Sequence, residues 1–235
     1  MMAVPETVRT ALADQPVAGR ACLEAGSGVG NMTAALRAAG AADIYAITDD
    51  RSHARAVRDR IPSERVHVLR ADLRSIPLPG DAVEFVTAHA LFNVVPPSDA
   101  DVIASALSCV ASPGARLVVD DYTPVPDAEI RELFAVENAA AELATGRPAL
   151  TFYPAAHLRA LFEAHGWTFE RRRSLLDPVP WTESHVEAHL DVVYGHADAL
   201  PDAVARALVD RAERLAADIG TARAGEMYSL AFTRD

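Results

Sequence analysis

The chain has 235 residues, half of them apolar, and carries 33 acidic against 22 basic side chains for a net charge of −11. That balance excludes a nucleic-acid partner, which needs a concentrated basic surface; the one basic run, Arg171-Arg172-Arg173, reads as a solvated strand end. No stretch approaches the roughly 20 apolar residues of a membrane span, "MMAVPETVRTALADQP" lacks the apolar core of a signal peptide, and Cys22 and Cys109 have no metal-like spacing, so the expectation is a cytoplasmic protein.

Short runs rich in Val and Ile alternate with longer amphipathic stretches. Strands are expected near 20–24 (RACLE), 43–48 (DIYAIT), 65–70 (RVHVLR), 83–88 (VEFVTA) and 116–120 (RLVVD), with helices near 31–39, 52–60 and 98–110 between them. This alternation predicts βαβ units and a parallel sheet. Ser98 with Asp101 is placed as a capping-box variant at the third helix, and Pro113-Gly114 marks the way into the fifth strand. After Asp121 the alternation breaks. Helices are expected at about 127–145, 154–166, 183–198 and 201–220, with strands at 167–176 and 226–235. The expected organisation is a single domain: a core of 18–122, 154–176 and 226–235, and a helical cap of 123–153 and 177–225.

The first strand runs into "CLEAGSGVG". Glu24 closes it, and Gly26, Gly28 and Gly30 follow with Ser27 among them. Glycines at a strand-to-helix turn let the backbone approach a ligand closely, and the N–H groups of the helix start favour a polar or anionic group. Asp49 and Asp50 end the second strand, where a carboxylate can accept hydrogen bonds from both ribose hydroxyls. Asp72, beside Leu73, ends the third, where an acid and a backbone amide can meet an adenine edge. Three acids closing three successive strands share one lip of the sheet, the place where α/β folds bind ligands. A dinucleotide fold wants G-x-G-x-x-G; here the third glycine comes one residue early, and Glu24 would repel a pyrophosphate but suit a cationic amine.

With these motifs the chain resembles the class I S-adenosylmethionine-dependent methyltransferases of small-molecule type. Their acid followed by x-G-x-G-x-G is matched by "EAGSGVG", their second-strand acid by Asp49 with Asp50 as the rival, and their third-strand acid by Asp72 in "RADLRSIPLPGDAVEFV". "ASPGARLVVDD" matches their proline-glycine turn into strand five. The resemblance covers 18–122 well and 154–176 loosely. It implies a Rossmann-like, seven-stranded, mostly parallel sheet with an antiparallel last strand, S-adenosyl-L-methionine as cofactor, the glycine loop around its methionine half and Asp49 on its ribose. Two departures stand out. The first strand ends in Glu rather than the commoner Asp. Where many small-molecule members have a His shortly after strand four, this chain has Asn93, with His89 earlier, so the acid-base assignment does not transfer.

Methyl transfer needs an in-line nucleophile, a dry site and sometimes a base. His89 is the first candidate base by position, its alternative being a place near the adenine with no chemical role. Asn93, Asp121, Tyr122, Phe134, Asn138 and Tyr153 are the candidate acceptor contacts. Laid on a helix, "EIRELFAVENAAAELA" puts Glu137 in the middle of its apolar side. A carboxylate facing a core must be paired or protonated, so Glu137 is either a buried partner of Arg147 or Arg159, or a catalytic group facing the acceptor from a lid. His185, His189 and His196 share a helix side but border the apolar stripe, and no metal site is expected.

The expected function is methylation of a small, partly apolar molecule in specialised metabolism. Aminopropyl or aminocarboxypropyl transfer, cyclisation of the cofactor, and non-catalytic cofactor binding are the alternatives. The partner expected is a small-molecule acceptor, with neither nucleic acid nor membrane, and a homodimer is the assembly considered.

Overall fold

The computed structural model describes residues 4–126 and 128–235. In chain order the elements are α1 (Glu6–Leu12), β1 (Ala21–Ala25), α2 (Asn31–Ala38), β2 (Asp43–Thr48), α3 (Arg51–Arg60), β3 (Val66–Arg70), β4 (Val83–His89), a 3₁₀ turn (Phe92–Val94), α4 (Pro97–Val110) and β5 (Ala111–Tyr122). Then come α5 (Glu129–Thr145), α6 (Ala155–Ala164), β6 (Trp167–Leu176), β7 (Pro180–Trp181), α7 (Glu183–Ala197), α8 (Asp202–Ile219), β8 (Ala222–Arg223) and β9 (Met227–Arg234). The expected start of the first cap helix, residue 127, lies outside the described residues.

Seven strands form one sheet in the order β3-β2-β1-β4-β5-β9-β6. β9 runs antiparallel to both β5 and β6, while the pairs from β3 through β5 are parallel. This is the Rossmann-like sheet with an antiparallel last strand that the resemblance implied. Parallel strands covered on both faces are nearly continuous apolar runs, and four of the five residues of β1 are buried. One face packs Leu107, Phe162, Trp167, Tyr228 and Phe232 under α4 and α6. The other packs Val8, Leu12, Met32, Leu36 and Phe85 under α1 and α2.

Local chemistry explains the helix starts, with one correction. α4 is not opened by Ser98: Pro96 is its N-cap and Pro97 its first residue, with no side-chain cap. Proline's fixed φ suits the first helical turn and its missing N–H costs nothing there. α7 does begin with a capping box, Thr182 and His185 bonding reciprocally to each other's backbone. β5 starts several residues before the expected point because α4 leads straight into it; the register against β4 shifts between Val83 and Phe85 to absorb the Pro113-Gly114 segment.

The arginine run is not a solvated strand end. Arg171 and Arg173 both pair with Asp14, and they donate to the backbone oxygens of Ala11 and Thr10. Arg172 pairs with Glu226. The run fastens α1, absent from the sequence reading, to the edge strand β6. Helices α5, α7 and α8 share an apolar cluster of their own around Leu133, Phe134, Trp181, Val193 and Leu215, and the small β7–β8 pair joins their ends.

Candidate active site

The C-terminal ends of β1, β2 and β3 border a cleft of about 350 Å³, whose walls include Gly26, Thr48, Asp49, Asp72, Leu73, Arg74, Leu91 and Arg147. The glycine loop is stitched to the neighbouring strand: the N–H groups of Gly26 and Ser27 both donate to the Ile47 carbonyl, at 3.0 and 2.9 Å. Gly26 has φ +73°, which favours glycine, and a Cβ there would lie 2.8 Å from Leu91 Cδ1, so any larger residue would have to displace that side chain. Gly28 and Gly30 also have positive φ, and Gly30 is the N-cap of α2. Ser27 is buried, and its hydroxyl has no partner among the described residues. An orphaned hydroxyl in a glycine loop at a helix start fits the polar end of a ligand.

The acids divide their work. Asp49 lines the cleft. Asp50 instead caps α3: the Ser52 hydroxyl and the His53 N–H donate to its carboxylate and hold it down to about 2. Asp72 lines the cleft and is gripped by the Arg74 guanidinium at 2.6 Å, which lowers its pKa, while Arg74 also reaches Asp99. Glu24 is not among the residues that line the cleft. It is buried at the end of β1, accepts a hydrogen bond from the Thr33 hydroxyl on α2, and burial pushes it up to about 8.

The next lip carries the other polar groups. His89 ends β4, and its Nδ1 lies 2.9 Å from Asp120 Oδ2. Asp121 is buried and accepts from the backbone N–H of Tyr122 at 2.8 Å and of Asn93 at 3.0 Å; burial nonetheless pushes it up to about 7. Asn93 accepts from Thr151 N–H with its backbone oxygen at 2.7 Å, and its buried side-chain oxygen has no partner among the described residues.

Residues 23–119 match the family described as a methyltransferase domain. The seven-stranded sheet that holds them is the one found in class I methyltransferases. No curated protein matches the chain. Solved structures share its fold at low identity. An S-adenosylmethionine-dependent methyltransferase from Mesorhizobium loti is 15% identical, with a TM-score of 0.60 over 97% of this chain and 95% of that one. Geranyl diphosphate methyltransferase, solved in complex with S-adenosylmethionine, is 13% identical, with a TM-score of 0.63 over 97% and 84%. A cyclopropane synthase from Mycobacterium tuberculosis is 14% identical, with a TM-score of 0.62 over 97% and 82%.

A second cavity of about 580 Å³ is lined by Val125, Arg131, Phe134, Asn138, Leu150 and Phe152, among others. Phe134 sits 5.2 Å from the Phe152 ring and 5.1 Å from Trp181, and Trp181 lies 5.7 Å from Tyr122. Two of the candidate acceptor contacts are occupied by structure. Asn138 clamps Leu150, donating to its oxygen at 3.0 Å and accepting from its N–H at 2.7 Å. Tyr153 is buried, with its hydroxyl on the Val95 oxygen.

Glu137 has neither of the expected partners. Arg147 pairs with Asp99 and Arg159 with Glu163; the Glu137 carboxylate instead meets His189 of the histidine row. The row itself is split, since His185 serves the capping box. Among the described residues no group of three or more His, Cys, Asp or Glu side chains is placed to hold a metal. Asp120 was missed. Its signal was its place beside Asp121 at a strand end, but nothing in the sequence shows that its register partner is His89.

Proposed function

We propose that this methyltransferase modifies a small, partly apolar acceptor molecule of specialised metabolism in the cytoplasm. Asp49 would hold the ribose of S-adenosylmethionine, Asp72 and Leu73 the adenine, and the loop of Gly26, Ser27, Gly28 and Gly30 the methionine end. When bound, the cofactor supplies a methyl group on a cationic sulfur. Glu24 supports this seat from behind through Thr33 rather than touching it. The acceptor would occupy the cavity between Phe134, Leu150 and Phe152. The observation that carries the reading is the pairing of two cavities across one short segment. Arg147 and Pro148 line the cleft with Asp49 and Asp72, while Leu150 and Phe152, just beyond, line the aromatic cavity. A cavity of that size and lining suits a small organic molecule. Tyr122 and Asn93 would meet the acceptor, with His89 as the proton acceptor.

The test has two steps. Calorimetry should show that the protein binds S-adenosylmethionine. Metabolite profiles with and without the protein should then differ by a product one methylene heavier, with S-adenosylhomocysteine formed alongside. Methylthioadenosine as the co-product would overturn methyl transfer in favour of transfer of the aminopropyl or aminocarboxypropyl arm. Cofactor binding with no product from any acceptor pool would leave a binding protein.

A further inference from the structure

We propose that Asp120 is a positioning residue that fixes the tautomer of His89, so that the imidazole presents a bare Nε2 to the acceptor. The proposal rests on the methyl-transfer reading above. Its grounds are geometric. His89 and Asp120 are direct register partners at the ends of the adjacent parallel strands β4 and β5. The imidazole Nδ1 is 2.9 Å from Asp120 Oδ2; the aspartate side chain is 0% exposed and the histidine side chain 19%. A carboxylate can only accept, so the nitrogen facing it must carry the proton, and in a neutral ring the other nitrogen is then an acceptor.

Residue 120 grips this strand end twice. Its backbone oxygen accepts the Ala90 N–H at 2.7 Å, and Ala90, immediately after the histidine, has φ +49°. A non-glycine residue in the left-handed region is strained, and such strain persists only where the surroundings impose it. One residue therefore holds both the turn that ends β4 and the ring that the turn presents. Its second carboxylate oxygen, Oδ1, is buried without a partner, so among the described residues the imidazole is the one hydrogen-bond partner of this carboxylate. Asp121 does not share the task, because its oxygens accept from the backbone of Asn93 and Tyr122.

The arrangement matches a base held by an acid that does not itself take the proton. The proton that an O–H or N–H acceptor loses as it is methylated passes to Nε2 of His89 and from there to solvent. The buried Asp120 carboxylate stabilises the imidazolium in the interval.

Nitrogen-15 NMR of the full-length protein labelled at histidine, with His89 assigned by its loss in His89→Gln, reads the tautomer without acceptor or cofactor. The expected spectrum of neutral His89 shows protonated Nδ1 and bare Nε2. A protonated Nε2 in the wild type would overturn the proposal. In Asp120→Asn the fixed tautomer should give way to a mixture. The variant's methyl incorporation from methyl-tritiated S-adenosylmethionine into a small-metabolite extract should fall by about 10²-fold or more, the scale of a positioned base, at unchanged cofactor affinity. Unchanged tautomer and unchanged incorporation in that variant would equally overturn it. If Asp120→Asn fails to fold, the wild-type spectrum decides. A wild type that incorporates no methyl at all would count against the function proposed above, whichever tautomer it shows.

Discussion

Glu137 on α5 and His189 on α7 meet at 2.7 Å, the carboxylate 2% exposed and the imidazole 18%, with the His189 ring edge-on to Phe134 at 4.7 Å. The pair joins two helices of the cap inside its apolar cluster, a contact the helix pattern alone did not name, and we propose that it makes Glu137 a holding residue rather than a catalytic one. A buried polar group whose partner is removed loses its compensation while its desolvation remains. Glu137→Ala should cost about 1–3 kcal/mol of stability and leave S-adenosylmethionine affinity unchanged. Glu137→Gln, which keeps an acceptor oxygen for the ring, should cost less. Thermal melts and calorimetry check both. A Glu137→Gln protein that folds normally but loses turnover by 10²-fold or more would restore the catalytic reading.

Asp49 and Asp50 are neighbours with separable roles. Asp49→Ala should weaken S-adenosylmethionine binding by about 1.5–3 kcal/mol, the range for a hydrogen bond to a charged group, with the fold intact. Asp50→Ala should instead lose a helix cap, about 1 kcal/mol of stability, with cofactor affinity nearly unchanged. Calorimetry and melting of the two variants side by side would show it; the reverse pattern would hand the ribose to Asp50.

Gly26 is held at φ +73° with Leu91 where a Cβ would be. Gly26→Ala therefore combines a strained backbone with a clash against one wall of the cleft. Strain of this kind costs on the order of 1–3 kcal/mol. The variant should melt lower and bind S-adenosylmethionine more weakly. Gly28, also at positive φ but with open space around a would-be Cβ, should show the backbone cost without the clash. Equal losses in the two alanine variants would refute the role of Leu91.

Stability should fall as pH rises from about 4.5 to about 8. Burial raises Glu24 to about 8 and Asp121 to about 7. Across the window between the ordinary carboxylate values and these raised ones, the native state holds protons that the unfolded chain has released, so unfolding gains with pH. Below about pH 4 the paired acids, such as Asp14 and Asp72, whose pKa values are lowered, act in the opposite sense and stability drops again. Melting temperatures should be higher at pH 6 than at pH 8.5, and Glu24→Gln, which retains an acceptor for Thr33, should shrink the difference. A flat profile in the wild type over that range would contradict the burial of these two acids.

Several features were legible in the residues because their signals are local. Alternating apolar runs placed the strands of the sheet, since a strand buried on both faces must be apolar along its length. The turn from Glu24 to Gly30 was readable because positive φ is cheap only for glycine, and the acids at the strand ends followed once the strands were placed.

What the sequence could not decide is which buried polar groups meet. Glu137 was correctly placed on an apolar helix face, but its partner lies 52 residues away on another helix. His89 and Asp120 are 31 residues apart and meet only because two parallel strands lie in one register. The arginine run looked like solvated charge until α1 and the turn after it, with Asp14, packed beside β6. Asn138 and Tyr153 looked available for a ligand until their polar atoms were found on the backbone of Leu150 and Val95. Periodicity tells a side chain which way to face, from neighbours two to four residues off. Its partner depends on the packing of whole elements, which brings together residues that no local pattern connects.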